Sequence, residues 1–475
     1  MIKLYVHLFC LLPVLLFAQS AAITTTATLE PMDVFDLEYV SSPQISPDGK
    51  RVIYARNFKD IMTDRNLSNL WIVNVDGSQH QPLTTGNQND RSPIWTKDQN
   101  EIFYLSNQSG KTQIYRHWLN TGAASKLTNL QQSPSSLSLS PDEKWLAFSM
   151  NVAAKPSSLI KMPAPPKGAK WAAAPKYIDK MKYRADGSGF VKSQFRQIFI
   201  LSTDGGTPRQ LTDEPVNHGG RLAWSADGKS LLFSANRHAD AETVPNNSEI
   251  YELTIADGSI KALTDRFGPD SNPTISPDGK LVAYTGLDDK FLGFQQAALY
   301  VMNRDGSNQR LISKKLDRSV SNAQWGDNKT LYFQYDDEGD TKIASIDLQG
   351  NMLDLTDGVG GMTLGRPYSA GTFSIAKDGT YAYTHVTPLQ PADLAIGGDG
   401  RNNKKLTSLN DDLFSYKTLG EVEEIWYKSS ADGQKIQGWI VKPPNFDASK
   451  KYPLMLEIHG GTFANYGNRF SSEMQ

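Results

Sequence analysis

At 475 residues the chain is too long for one compact core, so two or more domains are expected. Its 39% hydrophobic and 21% charged content, with 37 glycines and 25 prolines, fits a globular protein dense in turns. A net charge of −2 argues against a general nucleic-acid or anionic-membrane partner. The first element is residues 1–22: Lys3, an apolar run over 4–17, then small residues suited to signal-peptidase cleavage at Ser20 or Ala22. That run is shorter than the ~20 apolar residues of a spanning helix, so it reads as a cleaved export signal that leaves no stable membrane anchor. A periplasmic or secreted protein is expected. Cys10 is the only cysteine and falls inside this signal, and Leu8-Phe9 before it lack the small pair of a lipidation site. The mature chain then has no thiol, which excludes disulfides, cysteine nucleophiles and zinc–thiolate sites.

After a lead segment over 23–42, one pattern recurs through residues 43–411. A turn around Asp-Gly precedes a short alternating strand, a polar stretch, a second strand, another turn and a closing Leu-Thr. The first copy runs Ser46-Pro47-Asp48-Gly49, strands over 51–55 and 70–75, Asp76-Gly77 and Leu83-Thr84. Its turn returns at Asp142, Asp227, Asp278 and Asp378, more weakly at Asp98 and Asp327; the closing leucine returns at Leu127, Leu211, Leu263, Leu311, Leu355 and Leu406. Either marker gives seven units. A period of about 45 to 50 residues belongs to propeller blades and related arrays, so an all-β propeller of seven four-stranded sheets is expected. In Ser-Pro-Asp-Gly, proline presets φ at the second position of a type I turn, serine can bond the backbone, and glycine relieves the fourth position. Trp95, Trp224 and Trp325 precede the turn at equivalent places, which favours packing between units over a ligand-stacking role.

The third unit carries an insertion over 151–194, with Lys167, Lys170, Lys176, Lys180, Lys182 and Arg184 interleaved with Trp171, Tyr177 and Tyr183. Such a mixture can bind nucleic acid, but in a slightly acidic exported chain it reads as an extended arm with a solvated basic face. Seven scattered histidines contain no i, i+4 pair and no His-Glu-x-x-His, so no metal site is expected. His218-Gly219-Gly220 reads as a turn. Asp336-Asp337-Glu338 and Asp288-Asp289 lack calcium-loop spacing and read as solvated loop faces.

Beyond the repeats, residues 423–429 and 435–442 read as two strands joined across Ser430-Ala431-Asp432-Gly433, with Pro443-Pro444 stopping the second. A third strand-like run, Tyr452-Pro453-Leu454-Met455-Leu456-Glu457-Ile458, leads directly into His459-Gly460-Gly461. An apolar run ending in consecutive glycines lets the backbone approach a reacting group, so that main-chain N–H donors can point at a developing negative charge. A plain strand-to-turn glycine pair is the other reading of the same residues.

The stretch IQGWIVKPPNFDASKKYPLMLEIHGG resembles the start of the catalytic domain in the prolyl oligopeptidase family of serine peptidases, in its acylaminoacyl-peptidase and bacterial dipeptidyl-peptidase branch. The repeats resemble the TolB-like propeller that precedes that domain, and the 151–194 insertion resembles one in bacterial members, where it reaches toward the hydrolase. The resemblance implies a seven-bladed propeller followed, over 412–475, by the opening strands of an α/β-hydrolase. It implies peptide substrates, a propeller that limits what reaches the site, and no cofactor. By position, the Gly461 N–H would be one oxyanion donor and Gly460 the turn that aims it, with His459 shaping the loop. Thr462 stands where the family usually has proline, which leaves that loop less preset. The paired glutamates of the best-known dipeptidyl peptidases have no match over 217–263, so the resemblance lends no support to release of dipeptides from a free amino terminus. No serine in the chain has glycine two positions before and two after, as a nucleophile elbow requires. Residues 412–475 are also too few for a doubly wound sheet, which needs on the order of 200. The expectation is a fragment, inactive alone, whose serine, acid and base lie past Gln475. A propeller binding module without chemistry, or an esterase of the same fold, are the alternatives.

Overall fold

The computed structural model describes residues 27–154, 163–172, 176–361, 363–398, 401–461 and 463–475. The expected signal with Cys10, the start of the lead segment, parts of the third-unit insertion and Thr462 lie outside them. Among the described residues the chain is built of strands, with a single 3-10 turn at Pro31–Phe35 and one helical turn at Asp411–Phe414.

Five sheets each hold four antiparallel strands in chain order, and a further sheet holds eight. Taking strands a to d of each unit in order, the first unit is Tyr39–Ile45, Arg51–Asp60, Arg65–Asn74 and Gln81–Pro82. Its strand a thus begins inside the stretch that the sequence assigns to the lead. The next four units open with Asp90–Trp95, Ser135–Leu139, Gly219–Trp224 and Asp270–Ile275. The eight-stranded sheet contains two more, opening with Val320–Trp325 and Phe373–Ile375 and joined where Val359 pairs with His385. No strand pairing ties the last unit to the first among the described residues. They meet through packing: Val40, Tyr54 and Val73 share a buried cluster with Ala382, Leu394 and Ile396, and the Ile45 N–H donates to Ser374 Oγ at 2.8 Å. Each large aliphatic side chain so buried contributes roughly 1.5–3 kcal/mol.

The recurring residues recur because each makes the same local bonds. Ser46 Oγ donates to Asp48 Oδ1 (2.6 Å) and accepts from the Arg51 N–H (2.9 Å), which closes the a–b turn. The same hydroxyl–carboxylate pair forms at Thr96–Asp98, Ser140–Asp142, Ser225–Asp227 and Ser276–Asp278. In the closing Leu-Thr, the leucine N–H (Leu83, Leu127, Leu211, Leu263, Leu406) donates to a strand c carbonyl. The threonine hydroxyl then accepts the N–H of that same strand c residue. In the fifth unit this role falls to Ile312-Ser313 rather than Leu311, whose side chain is half-exposed. The indole N–H groups of Trp95, Trp224 and Trp325 donate to Gln44, Ser138 and Thr274 carbonyls of the preceding units, so these rings pack between sheets.

Strand a bulges at one place in six units, where Ser42, Ser92, Ser136, Gly220, Asn272 and Asn322 take positive φ. This corrects the reading of His218-Gly219-Gly220 as a turn. Gly219–Trp224 is a strand, Gly220 (φ +74°) is its bulge, and His218 is fully buried against Glu214. A glycine signals a turn and a bulge equally well, and here the ladder decides. Asp336 and Asp337 are not bare solvated groups either: Asp337 pairs with Lys342 at 2.8 Å and Arg318 at 2.9 Å.

The lead and the linker after the repeats run together, with Ala27–Thr28 parallel to Lys417–Thr418 and Lys417 Nζ 2.6 Å from Asp33. The expected hairpin forms as Val422–Lys428 against Lys435–Val441, and Gly433 takes φ +71° in its turn. The third run, residues 452–458, is not a strand. The hairpin pairs only with itself, so the run has no neighbouring ladder, and Leu454, Met455, Leu456 and Ile458 stand 71 to 93% exposed. The chain then returns to the propeller. Phe470 enters a cluster with Leu37, Leu364, Val386 and Leu413, and Arg469 donates to the Gly339 carbonyl (2.9 Å) and Thr341 Oγ1 (2.6 Å).

Candidate active site

The His459-Gly460-Gly461 loop is held from the propeller side. Residues 360–372 connect the two units of the eight-stranded sheet, and from them Tyr368 places its hydroxyl 2.9 Å from the Gly460 N–H, which donates to it. Tyr466 packs edge-on against both Tyr368 (4.9 Å between ring centroids) and His459 (5.8 Å), and its hydroxyl donates to Glu457 Oε1 at 3.1 Å. Arg366 joins the same group, 3.4 Å from Glu457 and 2.9 Å from Glu473, and these two carboxylates hold its guanidinium firmly charged. Partial burial, then the bonds to Glu457 and Tyr368, push the Tyr466 phenol up to about 12, so it stays protonated at neutral pH.

Of the two glycines singled out by the sequence, Gly460 has its N–H engaged. Gly461 lies at φ +76°, a region natural to glycine, and its carbonyl accepts from the Phe463 N–H at 2.6 Å. The Gly461 N–H donates to no described residue. His459 is half-buried, with Nδ1 3.2 Å from the Gly460 carbonyl. One unengaged main-chain donor on a loop fixed from outside can stabilise an anion, and it supplies neither a nucleophile nor a base.

Sequence reasoning missed Tyr368, Arg366 and Tyr466. They sit either in a connection where the repeat lapses or past the glycines, and only their contacts across about a hundred positions mark them. The arm inserted in the third unit has its described contacts on the fourth, where the Met181 N–H donates to Glu242 (2.6 Å) and Lys180 lies 3.4 Å from the same carboxylate. It joins strands b and c of its sheet. The hairpin tip at Gly339, which meets Trp439 and Gly467 of the last sixty residues, makes the same kind of connection.

Comparison with known proteins fits this architecture. The TolB beta propeller domain family matches residues 22–163, and the dipeptidyl peptidase IV N-terminal region matches residues 173–290. Dipeptidyl-peptidase 5 of Porphyromonas gingivalis is 26% identical over 457 residues, covering 93% of this chain and 64% of the relative. The acylaminoacyl peptidase of Pyrococcus horikoshii superposes with a TM-score of 0.73 at 20% identity, covering 93% of this chain and 63% of that one. The propeller domain of the trilobed protease of Pyrococcus furiosus, described as having an open velcro topology, gives 0.55 at 18% identity, over 80% of this chain and 98% of that one. This chain is therefore a TolB-type β-propeller protein with a further segment attached. It is similar to serine peptidases of the prolyl oligopeptidase family, and spans 64% of the length of the Porphyromonas gingivalis dipeptidyl-peptidase and 63% of that of the Pyrococcus horikoshii acylaminoacyl peptidase.

Proposed function

We propose that this chain is part of an exported serine peptidase that cleaves short peptides through an acyl-enzyme. Attack of a serine Oγ on the peptide carbonyl gives a tetrahedral oxyanion; expulsion of the amine leaves the acyl-enzyme, and water releases the acid. In this reading the Gly461 N–H donates to the oxyanion, Gly460 aims it, and His459 shapes the loop. The serine, acid and base are not among these 475 residues. The four-stranded units form a seven-bladed ring that limits which substrates reach the loop, and residues 1–22 direct the protein to the periplasm or outside the cell. No cofactor is needed.

The observation that carries this reading is the Gly461 N–H, which donates to no described residue, on a loop held by Tyr368 in a chain similar over 93% of its length to a dipeptidyl-peptidase. The test is to express the complete reading frame that contains this sequence and treat the product with a fluorophosphonate probe. Covalent labelling at one serine, with hydrolysis of acyl-aminoacyl or dipeptidyl substrates, supports the proposal. Labelling with turnover of simple esters alone makes the protein an esterase, and no labelling makes the propeller a binding module.

A further inference from the structure

Between the second, third and fourth units a cavity of about 640 Å³ opens along the propeller axis, within the usual size of small-ligand sites. Its wall includes Ile94 and Trp95, the run 136–141, and Gly220 to Leu222. The three strands behind it, Asp90–Trp95, Ser135–Leu139 and Gly219–Trp224, are each the edge of their sheet. An edge strand leaves a row of N–H and C=O groups free for an extended chain to pair with. The bulges at Ser92, Ser136 and Gly220 keep these edges from lying flat.

Arg221 stands in this wall and reaches beyond it. Its guanidinium donates to the Ala323 carbonyl at 2.7 Å and to Asn322 Oδ1 at 3.2 Å, both in the sixth unit, so it crosses the axis above the fifth. It forms no ion pair with any described residue, and most of its N–H donors have no acceptor there. Burial pushes its pKa down, and no neighbouring carboxylate offsets this. The carboxylate in the wall, Glu143, already accepts the Lys97 main-chain N–H, while the Lys97 ammonium bonds the Pro141 carbonyl. A brace across the axis could be made by a neutral amide at far lower desolvation cost. A half-buried guanidinium with spare donors, beside strand edges, suits the carboxylate end of an extended peptide.

We infer that the axial cavity binds the terminal carboxylate of an extended peptide, with Arg221 as its anchor and the edges of the second to fourth units pairing with its main chain. This site is separate from the glycine loop and does not depend on the peptidase reading. The test is calorimetric titration of the 475-residue chain with N-acetyl tetra-alanine as the free acid and as the C-terminal amide, with sodium acetate and sodium phosphate as further arms. The free acid should bind at least about tenfold more tightly than the amide, the scale of one charge-assisted pair. Arg221→Met should abolish that preference, and Arg221→Lys should keep part of it. Equal binding of acid and amide, or no binding of either, overturns the proposal and leaves Arg221 a brace. Acetate or phosphate binding as tightly as the peptide overturns it too, since the strand edges would then contribute nothing. Should Arg221→Met fail to fold, the wild-type comparison of acid with amide still decides.

Discussion

Replacing Glu249 by glutamine should stabilise the protein above neutral pH and leave it unchanged in acid. The position opens strand c, where two other units carry Gln113 and Gln197. Gln113 accepts from Thr128 (2.8 Å) and the Leu130 N–H (2.7 Å) and donates to the Leu130 carbonyl; Gln197 accepts from Thr212 (2.7 Å) and donates to the Glu214 carbonyl (2.7 Å). In the seventh unit Asp393 does the same work with Lys405 at 3.2 Å beside it. Glu249 accepts from Thr264 at 2.5 Å, but its other oxygen is buried without a hydrogen bond, with His238 Nε2 3.5 Å away. Burial above all, then the nearby Asp270 and Asp265, raise it from 4.5 to about 7, against the opposing pull of the Thr264 bond and Arg266. The folded state therefore holds the proton more tightly than the unfolded chain. Glu249's contribution to stability is complete below about 4.5 and is lost as pH rises through about 7. At ~1.4 kcal/mol per pH unit, the loss by pH 8 is on the order of 3 kcal/mol, which a neutral glutamine avoids. With an unfolding entropy of ~2 cal/mol/K per residue over the propeller, that corresponds to about 4 °C in Tm. Thermal unfolding of both proteins from pH 5 to 8.5, followed by circular dichroism, measures it. Asp270, pushed up to about 6 mainly by its burial, adds a slope in the same direction, and because the two carboxylates repel each other, removing the Glu249 charge eases its ionisation and widens the gap between the two proteins at high pH. A Glu249→Gln protein no more stable than the parent at pH 8, or a gap that does not widen with pH, would refute the reasoning.

Thr212→Val removes the hydroxyl that accepts the Ile198 N–H and donates to Gln197, so urea unfolding should show a loss of about 1–3 kcal/mol. Trp224→Phe takes away the indole bond to the Ser138 carbonyl and some buried volume; a loss of about 1–2 kcal/mol in the same assay is expected. Arg469→Met unties the last residues from Gly339 and Thr341. Limited trypsin digestion should then cut within residues 422–475 several-fold faster, while the Tm of the propeller moves by less than about 2 °C.

The repeats were legible because each marker residue carries its own hydrogen-bond chemistry. Serine two before aspartate and threonine after leucine make the same bonds in unit after unit, so spacing alone revealed the array. The misplacements follow from signals with two meanings. Leu311 carries the hydrophobic mark, but Ile312 makes the bond. Gly219-Gly220 serves a bulge where a turn was expected. Residues 452–458 have the composition of a strand, yet composition cannot supply a partner, and among the described residues none stands beside them. Glu249 was invisible for a different reason: a carboxylate in place of an amide looks conservative until its second oxygen is seen to lack a donor.

The glycines of the candidate site were legible and the residues that set them were not, and this division has a physical basis. A glycine pair after an apolar run advertises what the backbone can do, because the permissive residue must be at that position. Which way the N–H groups point is decided by whatever packs behind them. Here that is Tyr368, braced by Tyr466 and by the Arg366 ion pairs to Glu457 and Glu473. The Gly460 N–H is taken up by Tyr368, the Gly461 N–H beside it donates to no described residue, and the direction of both is set against a hydroxyl that the propeller supplies. Arg469 and Phe470 then tie the chain just beyond the loop to the same connection and to the Gly339 hairpin. The loop is thus fixed to the propeller on both sides, so a change in how the last sixty residues sit on it should also turn the Gly461 N–H.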